Sequence, residues 1–345
     1  MARHTRLVRE DLDHKHAQMT ASVFYFFRAT FYRWMQVWKE TVGEVAAAPH
    51  LLAVGDLHVE NFGTWRDCEG RLIWGVNDFD EVYTLPYTLD LVRLAASAHL
   101  AIADEHLMVS RRDACSAIFE GYRDAFKKGG RPFVLAERHR WLRKMALNRL
   151  RDPRLFWEKI QALPDFKGEI SREVLRKLEE LMPARGLSQE KKHRVAGLGS
   201  LGHERLVIVA EWRGGLLARE AKALVPSACF WAGSHAKIEK IRYGSILDCA
   251  VRVPDPFLHP YGDWLLRRLA PDCSRIELAS LPAKRDEQRL LYSMGWETAN
   301  IHLGSKEEIP KVLADLKKRK GDWLHLAARE MVRAVERDWK AWRRG

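Results

Sequence analysis

Residues 55–63 read GDLHVENFG and residues 77–81 read NDFDE, joined by RDCEGRLIWGV (66–76) with a Gly-containing turn at 69–70. The apolar LLAV (51–54) reads as a strand entering a polar loop, and LIWGV (72–76) as a strand that delivers the second acidic stretch. A sheet carries such loops to a common edge. Asp56 and Asn61 on one loop, with Asp78 and Asp80 at the end of the neighbouring strand, then offer hard oxygen ligands of the kind magnesium takes together with substrate phosphates. One carboxylate can stay free to orient an attacking hydroxyl, and phosphoryl transfer asks for little beyond positioning and charge neutralisation. Taken singly, each of these residues could equally cap a turn or close a hairpin. The ordered set of four argues for chemistry.

Working outward, HAQMTASVFYFFRATFYRWMQVWKE (16–40) has apolar residues at 23, 26, 27, 31 and 34, which predicts one long buried helix. Downstream, 86–128 reads as two helices, the second ending on the pair Gly129–Gly130. From 137 to 183 the pattern is helical and charged, broken by RDPR, LPDFKGE and MPARG. The texture changes near 193 to strand, glycine loop, strand, Gly-Gly turn and strand, with a further strand at DWLLRRLAP in the mixed stretch 236–275. Residues 286–303 and 308–343 return to helical spacing. The expected class is α+β. Its organisation is a helical lobe over 16–185 holding both acidic loops, a β-rich nucleotide-binding lobe over 190–280, and C-terminal helices over 285–345 packing back on the helical lobe.

Gly197, Gly199 and Gly202 fit GxGxxG, with Ser200 inside the loop. A dinucleotide fingerprint would open a helix, but HERLVIVAEW (203–212) is strand-like. That leaves a glycine hairpin of the kind that covers nucleotide phosphates, or a plain surface hairpin. In the phosphate-covering case the third strand, LLAREAKA (216–223), offers Arg219 and Lys222 to the phosphates.

These motifs resemble a known group. GDLHVEN is similar to the catalytic loop of aminoglycoside phosphotransferases and choline-kinase-like enzymes, and NDFDE to their metal-binding aspartate motif. The closer resemblance is to the uncharacterised "domain of unknown function 2252" family. Its four marks correspond here to Gly55–Gly63, Asn77–Glu81, Asp90–Ser97 and Gly197–Gly202. With SVFYFFRAT and GDWLLRRLAP, the likeness runs from about residue 20 to 305. It implies a protein-kinase-like two-lobe fold and a phosphotransferase using ATP and Mg2+ on a hydroxyl-bearing acceptor. Asp56 would be the base-like aspartate, Asn61 and Asp78 metal ligands, Asp80 a second-metal or structural carboxylate, and Asp90 a brace for the loop. The glycine loop follows the catalytic loop instead of preceding it, so the implied fold is permuted. The lysine implied after the glycine loop stands here as Arg219, with Lys222 three residues on. An arginine does not replace a lysine geometrically. A nucleotide-binding pseudokinase and a nucleotidyltransferase therefore remain alternatives. A metallophosphoesterase, suggested by Asp56-Leu57-His58, lacks the further histidine motifs, with His203 and His302 in unsuitable contexts.

Composition excludes other classes. The chain has 345 residues, 47% hydrophobic and 30% charged, enough for one large or two smaller cores. No apolar run is long enough to span a bilayer and the N-terminal stretch lacks the apolar segment of a secretory leader, so neither a membrane protein nor a secreted one is expected. Cys68, Cys115, Cys229, Cys249 and Cys273 are scattered without CxxC or Cys/His spacing, which predicts reduced thiols in the cytoplasm. The net charge of +12 suits an anionic partner such as a nucleotide, and no nucleic-acid-binding motif is present.

Overall fold

The structure is a computed structural model, described for residues 7–135, 138–146, 152–232, 240–273 and 286–344. It is mixed α+β, with three separate sheets among the described residues. The aromatic segment expected as one helix is three: α1 (Arg9–Ala21), α2 (Val23–Ala29) and α3 (Phe31–Val42). The breaks are local. Ser22 turns extended (φ −149°, ψ 143°) and its hydroxyl accepts from the N–H of Phe24, capping α2. At the other break the Thr30 hydroxyl donates back to the Phe26 carbonyl at 2.7 Å. Ser and Thr compete for backbone partners in this way.

The two acidic loops sit among β1 (His50–Ala53), β2 (Phe62–Arg66), β3 (Leu72–Val76) and β4 (Tyr83–Pro86). β2 and β3 form the expected hairpin, with Phe62 opposite Val76, so the loop after β1 and the loop after β3 emerge side by side. β1 pairs with β4 and closes the second loop. Next come α4 (Tyr87–Ala103), apolar on nearly every side and buried along Tyr87–Ala101, and α5 (Arg111–Lys128). α5 is capped by Ser110 and stopped by left-handed Gly129. The short β5 (Phe133–Val134) joins β3, and α6 (Arg140–Ala146) follows.

A five-stranded antiparallel sheet is built from β6 (Gln189–His193), β7 (Arg205–Trp212), β8 (Gly215–Ala223), β9 (Leu258–Tyr261) and β10 (Trp264–Leu269), in the order β6-β7-β8-β10-β9. The helices before it, α7 (Pro153–Gln161) and α8 (Arg172–Glu180), pack on this sheet. Strand alternation explains why. Val207, Val209 and Ala218 point to one face and meet Ile160 of α7. Leu206, Ile208 and Ala221 point to the other and meet Val174 and Leu178 of α8.

α9 (Ala228–Ala232) and α10 (Tyr243–Cys249) lie between β8 and β9 in sequence, and α11 (Glu287–His302), α12 (Ile309–Lys318) and α13 (Trp323–Trp342) follow β10. The buried side chains of α11 and α13 join the same apolar core as α3, α4 and α5. α5 and α11 cross at two glycines. A β-carbon on Gly121 would stand 1.9 Å from the Tyr292 carbonyl oxygen, and one on Gly295 would stand 1.9 Å from that of Ile118. Only residues without a side chain permit this approach. Residues 147–151 of the charged segment, and 236–239 and 274–275 of the mixed stretch, lie outside the described residues. No helix among the described residues is long and apolar enough to cross a membrane.

Candidate active site

The 54–61 loop is held from below. The N–H groups of Val54 and Gly55 donate to the buried carboxylate of Asp90, on the first turn of α4, at 2.7 and 2.9 Å. Nε2 of His302 lies 2.9 Å from the same carboxylate, and its Nδ1 lies 2.9 Å from the Tyr122 hydroxyl. A fully buried carboxylate needs such partners. The chain Tyr122–His302–Asp90 thus spans α5, α11 and α4 and ends on the backbone that presents Asp56.

The Asp56 carboxylate pairs with Arg93, whose Nε donates at 2.7 Å. Arg93 is itself fully buried, stacked over Phe27 at 4.0 Å and near Phe31 and Trp34, and donates to the Phe27 carbonyl at 3.0 Å. This aromatic bed is what the 23–34 segment contributes to the site. Burial raises the pKa of Asp56, and the charges of Arg93 and Arg28 oppose that shift.

Asn61 ties the two acidic loops together. Its Nδ2 donates to the Asp56 carbonyl at 3.0 Å and to the Asp78 carbonyl at 3.4 Å, and its backbone N–H to the His58 carbonyl at 2.8 Å. With Nδ2 committed, Oδ1 is the amide's remaining acceptor and a suitable oxygen for a hard cation. Asp78 and Asp80 both face Lys222, with Lys222 Nζ 3.5 Å from Asp78 and in direct ion-pair contact with Asp80. The Lys222 side chain is 2% exposed and that of Asp78 is 44% exposed, so Asp78 presents its carboxylate to solvent. Burial works against the charge of Asp78, but Lys222, Arg267 and Arg205 outweigh it and hold its pKa below the ordinary value. Burial and the charge of Asp78 push Asp80 up to about 6.

Arg219 is not brought to this cluster. Residues 218, 220 and 222 of β8 share one face, on which Lys222 meets the acidic loops, and residues 217, 219 and 221 share the other, which packs on α8. Arg219 accordingly donates to the Leu181 carbonyl at 3.0 Å and lies over Phe257 at 4.7 Å. Of the two basic residues offered by LLAREAKA, Lys222 is the one beside the aspartates.

The glycine loop lies across the site. Gly197 (φ +75°) and Gly202 (φ +95°) bracket a short 3-10 turn at Leu198–Ser200, and β7 follows, with no helix opening. A β-carbon on Gly199 would stand 3.6 Å from Oδ2 of Asp56, so this loop approaches the aspartate closely. The Ser200 hydroxyl donates to the Gly197 carbonyl and accepts from Arg205 at 2.7 Å.

Several residues at the site had no clear signal in the sequence. Lys15 of α1 donates to the Gly199 carbonyl at 2.9 Å, and burial lowers its pKa to about 8. Glu81 accepts from the Ser227 hydroxyl at 2.8 Å and the Ala228 N–H at 2.7 Å, and burial pushes it up to about 7. Glu220 is fully buried beneath three arginines, with Arg194 at 2.7 Å, Arg267 at 2.6 Å and Arg205 at 3.4 Å. Burial opposes the charge of Glu220, but the guanidiniums hold its pKa well below the ordinary value. Cross-strand register makes this cationic floor: Arg205 stands opposite Lys222, and Glu220 opposite Arg267. The even spacing of Glu220 and Lys222 was the available hint. His203 sits among Lys222, Arg205 and Lys15, and burial lowers its pKa to about 3, so it stays neutral.

The arrangement can bind a cation on Asp78, Asp80 and the Asn61 amide oxygen, and an anion against Lys222 and the loop backbone. It can also orient a hydroxyl at Asp56. Residues 6–154 match the sequence model of a family described as an uncharacterized protein conserved in bacteria (DUF2252). The match takes in Asp56, Asn61, Asp78, Asp80, Asp90 and Arg93 and stops before the glycine loop and Lys222. No curated protein and no solved structure matches the chain.

Proposed function

We propose that this protein is a magnesium- and ATP-dependent phosphotransferase of the kinase-like type, acting on a hydroxyl acceptor, with a permuted two-lobe arrangement. One observation carries this reading. Asp56, Asn61, Asp78, Asp80 and Lys222 converge from two loops and a separate sheet, and the glycine loop lies over them. In this reading Asp78 and Asn61 hold Mg2+, with Asp80 as a further ligand once a cation replaces its contact with Lys222. Lys222 then turns to the phosphates under the backbone of Gly197, Gly199, Ser200 and Gly202. Asp56 orients the acceptor hydroxyl and takes its proton late, which needs little basicity when the transition state is loose. Gly199 packs close to Asp56, so phosphates enter by lifting the loop.

The pairing of Asp56 with buried Arg93 favours a second reading, in which nucleotide binds without transfer, because that pairing opposes the basicity that burial gives the aspartate and occupies its carboxylate. One experiment separates the two. Thermal unfolding with Mg-ATP, in the native chain and in Asp78→Ala, reports binding: at 100 times Kd a ligand of the folded state stabilises by about 2.7 kcal/mol. ATP turnover with and without Asp56→Asn reports transfer. A magnesium-dependent shift lost in Asp78→Ala, with turnover lost in Asp56→Asn, supports the phosphotransferase. The same shift without turnover supports the second reading. No shift in folded protein at millimolar nucleotide sinks both.

A further inference from the structure

We propose that His99, Cys115 and His325 form a binding site for a borderline-soft divalent cation, zinc by preference, built on residues other than those of the acidic cluster. The three side chains come from three helices, α4, α5 and α13. Their candidate ligand atoms all lie within 4.8 Å of one another. Nε2 of His99 is 3.2 Å from Sγ of Cys115, and the His99 and His325 rings are 5.2 Å apart. A second observation points to a ligand: Nδ1 of His325 is buried and has no hydrogen-bond partner among the described residues. A buried imidazole nitrogen without a partner costs free energy, and a metal bond would satisfy it.

The donor set selects the ion. One sulfur and two imidazole nitrogens suit zinc and its neighbours, whereas magnesium and calcium take oxygens. Metal–ligand bonds of about 2.0–2.3 Å in a tetrahedron place ligand atoms about 3.5 Å apart. His99 and Cys115 already meet that spacing, and His325, which is only half-buried, has the freedom to close the remaining gap of about 1 Å.

Arg111, Arg112 and Arg329 make the surroundings cationic, and two negative charges offset them. One is the thiolate formed when the Cys115 proton leaves to water as the metal–sulfur bond forms. The other is Asp322, at the start of α13, whose exposed pairing with Arg112 at 3.3 Å is easily exchanged. A water molecule would complete the tetrahedron. No sequence spacing announces the site, because its members lie at 99, 115 and 325 and meet only through helix packing. A metal there would fasten α5 and α13 to the helix that carries Asp90 and Arg93.

The test uses the full chain, free of any affinity tag and stripped with a chelator, titrated with Co2+ and then Zn2+. The expected result is one equivalent of Co2+ giving a thiolate-to-cobalt charge-transfer band that Zn2+ abolishes. Cys115→Ser should lose the band, and His325→Gln, at the half-buried position, should weaken binding at least tenfold. If Cys115→Ser fails to fold, His325→Gln decides alone. No stoichiometric band in folded native protein overturns the proposal, as does binding left unchanged by His325→Gln.

Discussion

The site contains two carboxylate–cation pairs, and they are built differently. Asp56–Arg93 belongs wholly to the helical part, with an arginine sealed under Phe27, Phe31 and Trp34. Asp80–Lys222 joins a loop of that part to a strand of the five-stranded sheet, next to an aspartate open to solvent. The first pair is locked by the aromatic bed and by the further bond from Arg93 to the Phe27 carbonyl, and it fixes shape. The second holds two parts of the molecule together, and the proposed function uses it as the pair that exchanges: a cation replaces the lysine at the aspartates, and a phosphate replaces the aspartates at the lysine.

If that contrast holds, Arg93→Ala gives the largest loss. It leaves Asp56 an uncompensated, mostly buried charge and opens a hole beside three aromatics. A destabilisation of about 3–5 kcal/mol is expected in chemical denaturation, and a loss under about 1 kcal/mol would show the first pair to be dispensable. Lys222→Met keeps the apolar stem and removes the charge. It should cost about 1–3 kcal/mol and abolish stabilisation by Mg-ATP, and a retained nucleotide shift would remove Lys222 from the proposed phosphate site.

Acidity sharpens the comparison further. Burial raises Glu81 from the ordinary 4.5 to about 7, so the folded protein binds this proton more tightly than the unfolded chain does. Its contribution is present at low pH and is lost as pH rises from 4.5 to about 7. Glu297, raised to about 7 by burial between β3 and α11, contributes with the same sign. Denaturation midpoints measured across that window should fall with pH, and Glu81→Gln should flatten the slope. An unchanged slope would mean that Glu81 titrates normally. The smallest effect is expected from Arg219→Met, a loss of about 1 kcal/mol from the contact with Phe257 and no change in the nucleotide response. A lost response would contradict the facing read from strand parity.

Much of this was legible from residue order. The turn at 69–70 and the apolar run LIWGV after it pointed to the hairpin that brings the two acidic loops together. Strand-like residues after Gly202 announced a hairpin and not a dinucleotide fold. Other features depend on partners that a linear reading does not see. Arg93 looked like one charge on an apolar helix until Phe27 and Asp56 closed on it. Lys15 reaches the Gly199 carbonyl only when α1 docks, and the three arginines reach Glu220 only when the sheet assembles. The helix break at Ser22 was hidden by an apolar spacing that continues through it. The choice between Arg219 and Lys222 was open until the strand fixed which parity faces the loops.

The bond between His302 and Asp90 spans 212 positions of the chain. At ribosomal rates of about 5–20 residues per second, the helix that supplies His302 is made on the order of 10–40 s after the loop it steadies. For that interval the nascent 54–61 loop has Asp90 without its histidine, and α5 displays the glycine notch that α11 will fill. The candidate site is therefore synthesised early and matures late. A ribosome stalled before residue 286 would carry a chain holding every aspartate of the site and lacking the histidine and the helix that steady it.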